Sequence, residues 1–305
     1  MLHPHLQNMA EKEKITLNSC EPEIMDAQTS ANAEGKCVTA YFEATALNWH
    51  TMYSRKDLWG AIHQHRLTRF MAWVDKLGLP RGTRVLDVGC GAGLATVALA
   101  KRGFLVESID AAPSMIELAR KNAAAAGVAD CVHAEVGDIY HLKFSSNEFW
   151  LVLSIGVVAW LQFPGRAIEE LARVLKPGGH LFFTMDNRSR LARLLDPVTS
   201  PPLAPLRSGV KKIFFRSDEL SKEQNVVTSH QHSLGEVDAF LSGAGLERIH
   251  YETLGFGPFT LLYRTLFPQR MGVALNRTLQ SLADRRLPLL RSTGAQFLLL
   301  ARKCS

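Results

Sequence analysis

The sequence predicts an α/β protein built on a doubly wound, seven-stranded, mostly parallel sheet. Three observations lead there. An apolar run (Val85, Leu86, Val88) stops at three glycines spaced by single residues, and an apolar helical pattern begins at once with Leu94, Val97 and Ala98. That is strand, tight turn and helix, the ligand-binding corner of such sheets. Beyond the corner, short apolar runs alternate with helical patterns, which builds a mainly parallel sheet covered on both faces. Two more apolar runs near the C-terminus complete the strands.

Residues 1–35 are polar and without a clear period, which predicts a mobile N-terminal tail. The remainder, 36–305, is read as one domain. From 36 to 80 the pattern is helical and rich in aromatics, among them Tyr41, Trp49, Tyr53, Trp59 and Trp73, and Pro80-Arg81-Gly82 ends it. This stretch is expected to form a cap beside the ligand mouth. The core, 82–185, is expected to carry strands near 84–88, 104–109, 130–135, 149–155 and 179–185, and helices near 93–101, 113–126 and 165–175. Residues 187–230 break the rhythm. Pro197, Pro201, Pro202 and Pro205 argue against regular structure, and Lys211, Lys212 and Arg216 make the segment basic. Ser233 is read as a helix N-cap with Glu236 as its capping-box partner. A strand near 246–253 and a closing strand from Ala295 follow. Between them, 254–293 is apolar and carries six arginines against one acid, Asp284. We read it as a lid-like insertion.

Composition sets broad limits. A chain of 305 residues with 47% hydrophobic content can bury a full core. There is no apolar run of about 18 residues, so no membrane-spanning helix is expected. The start of the chain, Met1 to Gln7, has neither a basic opening nor an apolar stretch of the secretory type. Five scattered cysteines without Cys-x-x-Cys predict neither a metal site nor a disulfide framework, and fit a reducing cytoplasm. A net charge of +6 permits an anionic partner without requiring one.

The glycine spacing distinguishes between two cofactor classes. A dinucleotide fold wants Gly-x-Gly-x-x-Gly or Ala, with a pyrophosphate at the helix N-terminus. Here that third position is Leu94, the third glycine is Gly93, and Asp87 precedes the loop. An acid followed by Gly89, Gly91 and Gly93 suits a cofactor without phosphate and with positive charge nearby. S-adenosylmethionine, with its ammonium and sulfonium, fits.

At this point the chain resembles the class I S-adenosylmethionine-dependent methyltransferases, with a Rossmann-like fold. The resemblance covers 82–185 and rests on ordered motifs: Val85-Leu-Asp-Val-Gly-Cys-Gly-Ala-Gly93, Val106-Glu-Ser-Ile-Asp110, the helix from Ala111 through Met115, Glu135-Val-Gly-Asp138-Ile139, and Leu175-Lys-Pro-Gly-Gly179. Asp110 lies 19 residues beyond Gly91, where an acid that binds ribose hydroxyls is expected. The resemblance implies that Asp87, Gly89, Cys90, Gly91 and Gly93 hold the methionine end. It implies that Asp110, Ala111 and Met115 hold the ribose and adenine, that Asp138 and Ile139 meet the adenine amino side, and that Ser154, at the end of the fourth strand, also binds the cofactor. Tyr41, Trp49 and Tyr53 resemble the aromatic segment that closes over the cofactor, and Arg66 is a candidate for its carboxylate. One departure stands out: where the family's fourth strand commonly opens with Phe-Asp, this chain has Phe149-Trp150.

The acceptor side carries weaker signals. No Asn/Asp-Pro-Pro-Tyr follows the fourth strand, which argues against a base-amino or glutamine acceptor. Trp160 stands where related enzymes often carry a proton-abstracting His; it either walls the acceptor pocket or packs in the core. His141, beside Asp138, and His50 in the cap are the other catalytic candidates. His63 and His65 are two residues apart, so they point to different sides of a helix and make a poor metal pair. The resemblance to ubiquinone and menaquinone biosynthesis methyltransferases, with the apolar insertion, favours a small-molecule or lipid-like acceptor. The insertion's arginines also suit peripheral contact with anionic headgroups, each contributing about 1 kcal/mol near such a surface. A dimer interface or a plain lid would use the same segment. An alternative is a tRNA wobble-uridine carboxyl methyltransferase, resembled in Val158-Ala-Trp-Leu161 and in the Lys-Pro-Gly-Gly strand that leads to Asn187, with 207–216 for phosphates; the chain shows no appended RNA-binding domain. A non-catalytic S-adenosylmethionine-binding regulatory subunit is the third reading.

Overall fold

Strand order is what positions the site. The computed structural model describes residues 27–52, 54–196, 200, 229–261 and 264–304, without the side chains of 27–34 and 50. The sheet strands are β1 (Arg84–Val88), β2 (Leu105–Asp110), β3 (Val132–Val136), β4 (Phe149–Ser154), β5 (Leu175–Asn187), β6 (Leu246–Leu254) and β7 (Gln296–Lys303). Their order is β3-β2-β1-β4-β5-β7-β6, and a two-residue strand, Gln231–His232, pairs with the end of β5. All neighbours are parallel except β7, which runs antiparallel to both β5 and β6. The order reverses between β1 and β4, so a crevice opens at the carboxyl ends of those two strands.

Strand side chains alternate between two packed faces. Val85, Leu151, Leu153, Phe182, Leu298 and Leu300 point into one apolar cluster. Leu86, Val152, Phe183, Phe297 and Leu299 point into the other. Burial on both sides explains why the strands read as continuous apolar runs rather than as alternating ones.

Nine helices among the described residues complete the framework: α1 (Ala27–Ala44), α2 (Ala46–Met52), α3 (Leu58–Leu77), α4 (Leu94–Ala100), α5 (Pro113–Ala125), α6 (Pro164–Val174), α7 (Leu191–Leu195), α8 (Leu234–Gly243) and α9 (Gln269–Asp284). Helix α3 starts where Asp57 accepts the Gly60 amide at 2.8 Å, and it ends at Gly78 in the left-handed conformation. Helix α8 has the predicted capping box between Ser233 and Glu236. Three features depart from expectation. Helix α1 begins at Ala27, inside the stretch read as a tail. Helix α7 forms ahead of Pro197, so the proline-rich segment is not wholly irregular. Cys37 is disulfide-bonded, whereas Cys90, Cys131 and Cys304 are free thiols; scattered spacing carries no pairing information. The basic stretch 207–216 lies outside the described residues.

The insertion 254–293 folds as a short hairpin (Thr260–Leu261 with Arg264–Thr265), then α9, then a 3-10 turn at Leu290–Ser292. Its apolar side packs on itself and on α7: Phe256, Phe259, Ala283 and Leu290 form a cluster with Leu191 and Ala192. Two buried amides of α9, one turn apart, bind the chain as it leaves β6. Asn276 Oδ1 accepts from Phe256 N at 2.8 Å; Gln280 Oε1 accepts from Gly255 N at 3.0 Å, and its Nε2 donates to Thr253 O at 3.0 Å. The Gly255 and Phe256 amides lie past the end of the strand and are buried, so they need such partners. Replacing Gln280 by Ala should therefore lower stability by about 1–3 kcal/mol for each group left unpaired. A thermal melt checks this, and a midpoint equal to wild type would show that the splint contributes nothing.

Candidate cofactor and acceptor site

The turn after β1 is built from three residues in the left-handed region: Gly89, Gly91 and Gly93 have φ of 73°, 53° and 77°. The reason for glycine differs along the turn. A Cβ on Gly89 would fall 2.1 Å from Val157 Cγ2, and one on Gly93 would fall 2.8 Å from Ala119 Cβ. Protein packing demands those two. A Cβ on Gly91 would meet nothing within 4 Å. Only Gly91 therefore leaves open space for a ligand to approach the backbone.

Asp110 ends β2 beside this turn. Its Oδ2 accepts the Gly91 amide at 2.8 Å and its Oδ1 accepts the Ala112 amide at 3.0 Å. Each oxygen retains a lone pair, so the carboxylate is oriented and can still accept ligand hydroxyls. Burial, the largest influence, pushes its pKa up; hydrogen bonds from the backbone oppose this, and Glu43 nearby adds to it. Glu43, from α1, also accepts the Ser114 amide at the start of α5.

Asp87 is buried under the turn, where Thr96 Oγ1 donates to its Oδ2 at 2.7 Å and Ser108 Oγ lies 2.9 Å from Thr96 Oγ1. Burial raises its carboxyl to about 6. Burial likewise raises the thiol of Cys90.

These groups share one cavity of about 930 Å³ along the carboxyl edge of the sheet. At the β2–β3 end it is lined by Asp110, Ala111, Met115, Asp138 and Ile139. At the β5–β7 end it is lined by Asp186, Arg190, Ser229 and Gln296. Asp138 Oδ2 lies 3.1 Å from His141 Nδ1, and both face the cavity from its open rim, with His141 78% exposed. Arg66 is buried in the wall and donates to Gln296 Oε1 at 3.4 Å. His63, one turn before it on α3, is buried too; its pKa falls to about 3, chiefly through burial and then through Arg66. Its Nδ1 lies 2.8 Å from the Trp59 carbonyl, which assigns the proton to Nδ1.

Aromatics from the cap close the outer side. Trp160 lines the cavity, with Tyr41 stacked on it at 6.2 Å and Phe42 edge-on at 5.4 Å. Among the buried polar atoms of the wall, Trp49 Nε1 and Gln162 Oε1 have no hydrogen-bond partner among the described residues. An orphaned donor and an orphaned acceptor in a cavity wall are what a polar ligand would satisfy.

The structure redistributes several predicted residues. Tyr41 stands behind Trp160 and does not line the cavity, and burial raises its phenol to about 12. Ser154 is buried at the end of β4; Ile155, Gly156 and Val157 line the cavity in its place. Tyr53 and the side chain of His50 lie outside the described residues. Trp150, where the family commonly has Asp, is 43% exposed at the opposite end of β4, under the Lys176 ammonium at 5.1 Å. No described residue of the insertion between Gly257 and Gly294 lines the cavity, so its apolar character is explained by its own packing. His65 faces Asp284 of α9 at 3.9 Å, on another side of α3 from His63. Sequence reasoning missed Asp186, Arg190, Ser229 and Gln296; the β5–β7 pairing joins Asp186 to Gln296, and the pairing of Gln231–His232 with β5 brings Ser229 to them. No local pattern marks them.

The residues present fit S-adenosylmethionine: open backbone at Gly91, an oriented carboxylate at Asp110, a buried acid at Asp87 for positive charge and a buried cation at Arg66 for a carboxylate. The fit has a sign in pH. A cation binds the ionised form of Asp87, whose carboxyl stands at about 6 in the free protein. Affinity for S-adenosylmethionine should hold above pH 6 and fall, by up to about tenfold per pH unit, as pH drops below it. Calorimetric titration from pH 8 to pH 5 measures this, and the fall should disappear in Asp87→Asn.

Comparison with known proteins agrees with this geometry. Residues 86–183, about a third of the chain, match a family model described as a methyltransferase domain. The chain is 33% identical over 156 residues to a ubiquinone biosynthesis O-methyltransferase of Paracidovorax citrulli, covering 51% of this chain and 64% of that one. It is 30% identical over 156 residues to the protein of the same name from Pseudomonas entomophila, covering 65% of it. The chain thus spans just under two thirds of the length of these curated relatives. Among solved structures, a magnesium protoporphyrin IX methyltransferase from Synechocystis with bound S-adenosylhomocysteine superposes with a TM-score of 0.58 at 16% identity, covering 88% of this chain and 99% of that one. A putative Haloferax volcanii methyltransferase, solved with the Trm112 activator, gives 0.56 at 21% identity, covering 88% and 98%. At those identities the likeness is one of fold. Motifs, strand order and sequence match together identify a methyltransferase domain of the class I S-adenosylmethionine-dependent type at residues 86–183.

Proposed function

We propose that this protein transfers the methyl group of S-adenosylmethionine to a small-molecule acceptor. The observation that carries the reading is the single cavity of about 930 Å³ with two chemically distinct ends. It lies at the upper end of the roughly 300–1,000 Å³ typical of small-molecule sites, which leaves space for an acceptor beside the cofactor. The relatives named for ubiquinone O-methylation support a small acceptor as well.

The cofactor supplies a methyl carbon already activated by a positive sulfur. This chain's residues bind, orient and exclude water. Gly91 and Asp110 hold the nucleoside side, and Arg66 holds the carboxylate. Phe42, Trp49 and Trp160 shield the reacting centre. The acceptor atom must stand about 3–3.5 Å from the methyl carbon and in line with the breaking bond. His63 also lines the cavity, and with a pKa of about 3 it stays neutral and does not store a proton.

Incubation with methyl-labelled S-adenosylmethionine and fractionated cell extract tests this reading. Label should enter the small-molecule fraction. Asp110→Ala should weaken cofactor binding by tenfold or more, as expected for loss of bonds to a charged group worth about 1.5–3 kcal/mol each. Label in RNA would replace this reading with the tRNA one, and cofactor binding without label in any fraction would point to a regulatory subunit.

A second proposal concerns the insertion: its outer surface rests on an anionic membrane. Arg270, Arg277, Arg285, Arg286 and Arg291 are exposed there, with Leu266, Met271, Leu287 and Leu289 exposed beside them. No helix among the described residues is long and apolar enough to cross a membrane. The protein should sediment with phosphatidylglycerol vesicles, less so in high salt, and not with phosphatidylcholine vesicles. Equal partition onto both would sink the idea.

A further inference from the structure

Arg190, just before α7, puts its guanidinium in the cavity wall at the β5–β7 end. It is mostly shielded from solvent, and burial, the main influence, pulls its pKa below the usual arginine range; Asp186 opposes the shift and Arg193 adds to it. Among the described residues it makes no side-chain hydrogen bond or ion pair. The nearby acid does not supply one, because Asp186 is already engaged: Oδ1 accepts from Gln296 Nε2 at 2.9 Å and Oδ2 accepts from Ser229 Oγ at 2.5 Å. Gln296 is held in turn by Arg66 through its Oε1. The chain Arg66–Gln296–Asp186–Ser229 is thus closed on itself, and the Arg190 fork of five N–H donors stands beside it facing the cavity.

A shielded guanidinium without a partner among the described residues is unfavourable, and an anion placed against it removes the penalty. Resting on the methyltransferase reading above, we infer that Arg190 is the specificity residue for the acceptor and that the acceptor carries a carboxylate. The planar fork matches a carboxylate in bidentate fashion. A carboxylate carries the single charge that one guanidinium balances, and phosphatase treatment separates it from a phosphate ester. Met52, Trp59 and Trp160 also line the cavity, so the body of the acceptor is apolar or aromatic.

The test uses the full-length protein and a low-mass ultrafiltrate of cell extract, separated on an anion exchanger at pH 8 before reaction with labelled S-adenosylmethionine. Acceptor activity should be retained by the exchanger and should stay retained after phosphatase treatment. Arg190→Met should raise the KM for the retained acceptor about tenfold or more while cofactor affinity by calorimetry is unchanged, and Arg190→Lys should restore part of the loss. Unchanged cofactor affinity also shows that the variants are folded. Acceptor activity in the unretained fraction, retention abolished by phosphatase, or a wild-type KM in Arg190→Met would each overturn the inference while leaving methyl transfer intact. No label in any low-mass fraction would overturn the underlying reading and this inference with it.

Discussion

The bond from the Gly91 amide to Asp110 Oδ2 is the contact on which the rest of the site depends. It joins the turn after β1 to the end of β2 and fixes a backbone path that only glycine follows easily. The flanks of that turn are filled by Val157 from the loop after β4 and by Ala119 from α5. Three elements far apart in sequence are therefore cut to the shape of one turn. The empty volume over Gly91 is what remains when the other two glycines have been packed against.

Burial then sets the electrostatics. Asp87 and Asp110 are raised by the same low-polarity surroundings that lower His63 and Arg190. Each charged form is disfavoured in the free protein and favoured by a ligand of opposite sign. Asp87 and Asp110 stand at the β1–β2 side, and Arg66 and Arg190 stand with Asp186 toward the β5–β7 side.

The cap and the insertion serve different purposes. The cap supplies Phe42, Trp49, Trp59, His63 and Arg66 to the cavity wall. The insertion supports the cap from outside. His65 and Arg69 of α3 meet Asp284 of α9 and Glu252 of β6, and Asn276 and Gln280 hold the exit of β6. Rigidity on the acceptor side thus depends on residues that never touch the cavity.

The sequence by itself determined the seven strands, the helices that alternate with them in 82–185, the capping box at Ser233 and the glycine turn that opens the cavity. All of these are local: periodicity of two or 3.6, a glycine turn, an acid at the end of the next strand. The β1–β3 end of the cavity was legible because its lining residues follow those strands in order, each within a few positions of a recognisable pattern. The β5–β7 end was not. Arg66, Asp186 and Gln296 meet across up to 230 positions of sequence, through the antiparallel insertion of β7 beside β5. Only the tertiary structure decided which of two nearby histidines enters the wall, that Tyr41 stands behind Trp160, and that the apolar insertion covers itself and not the acceptor. Burial and long-range pairing assign those roles, and neither leaves a periodic trace in the chain.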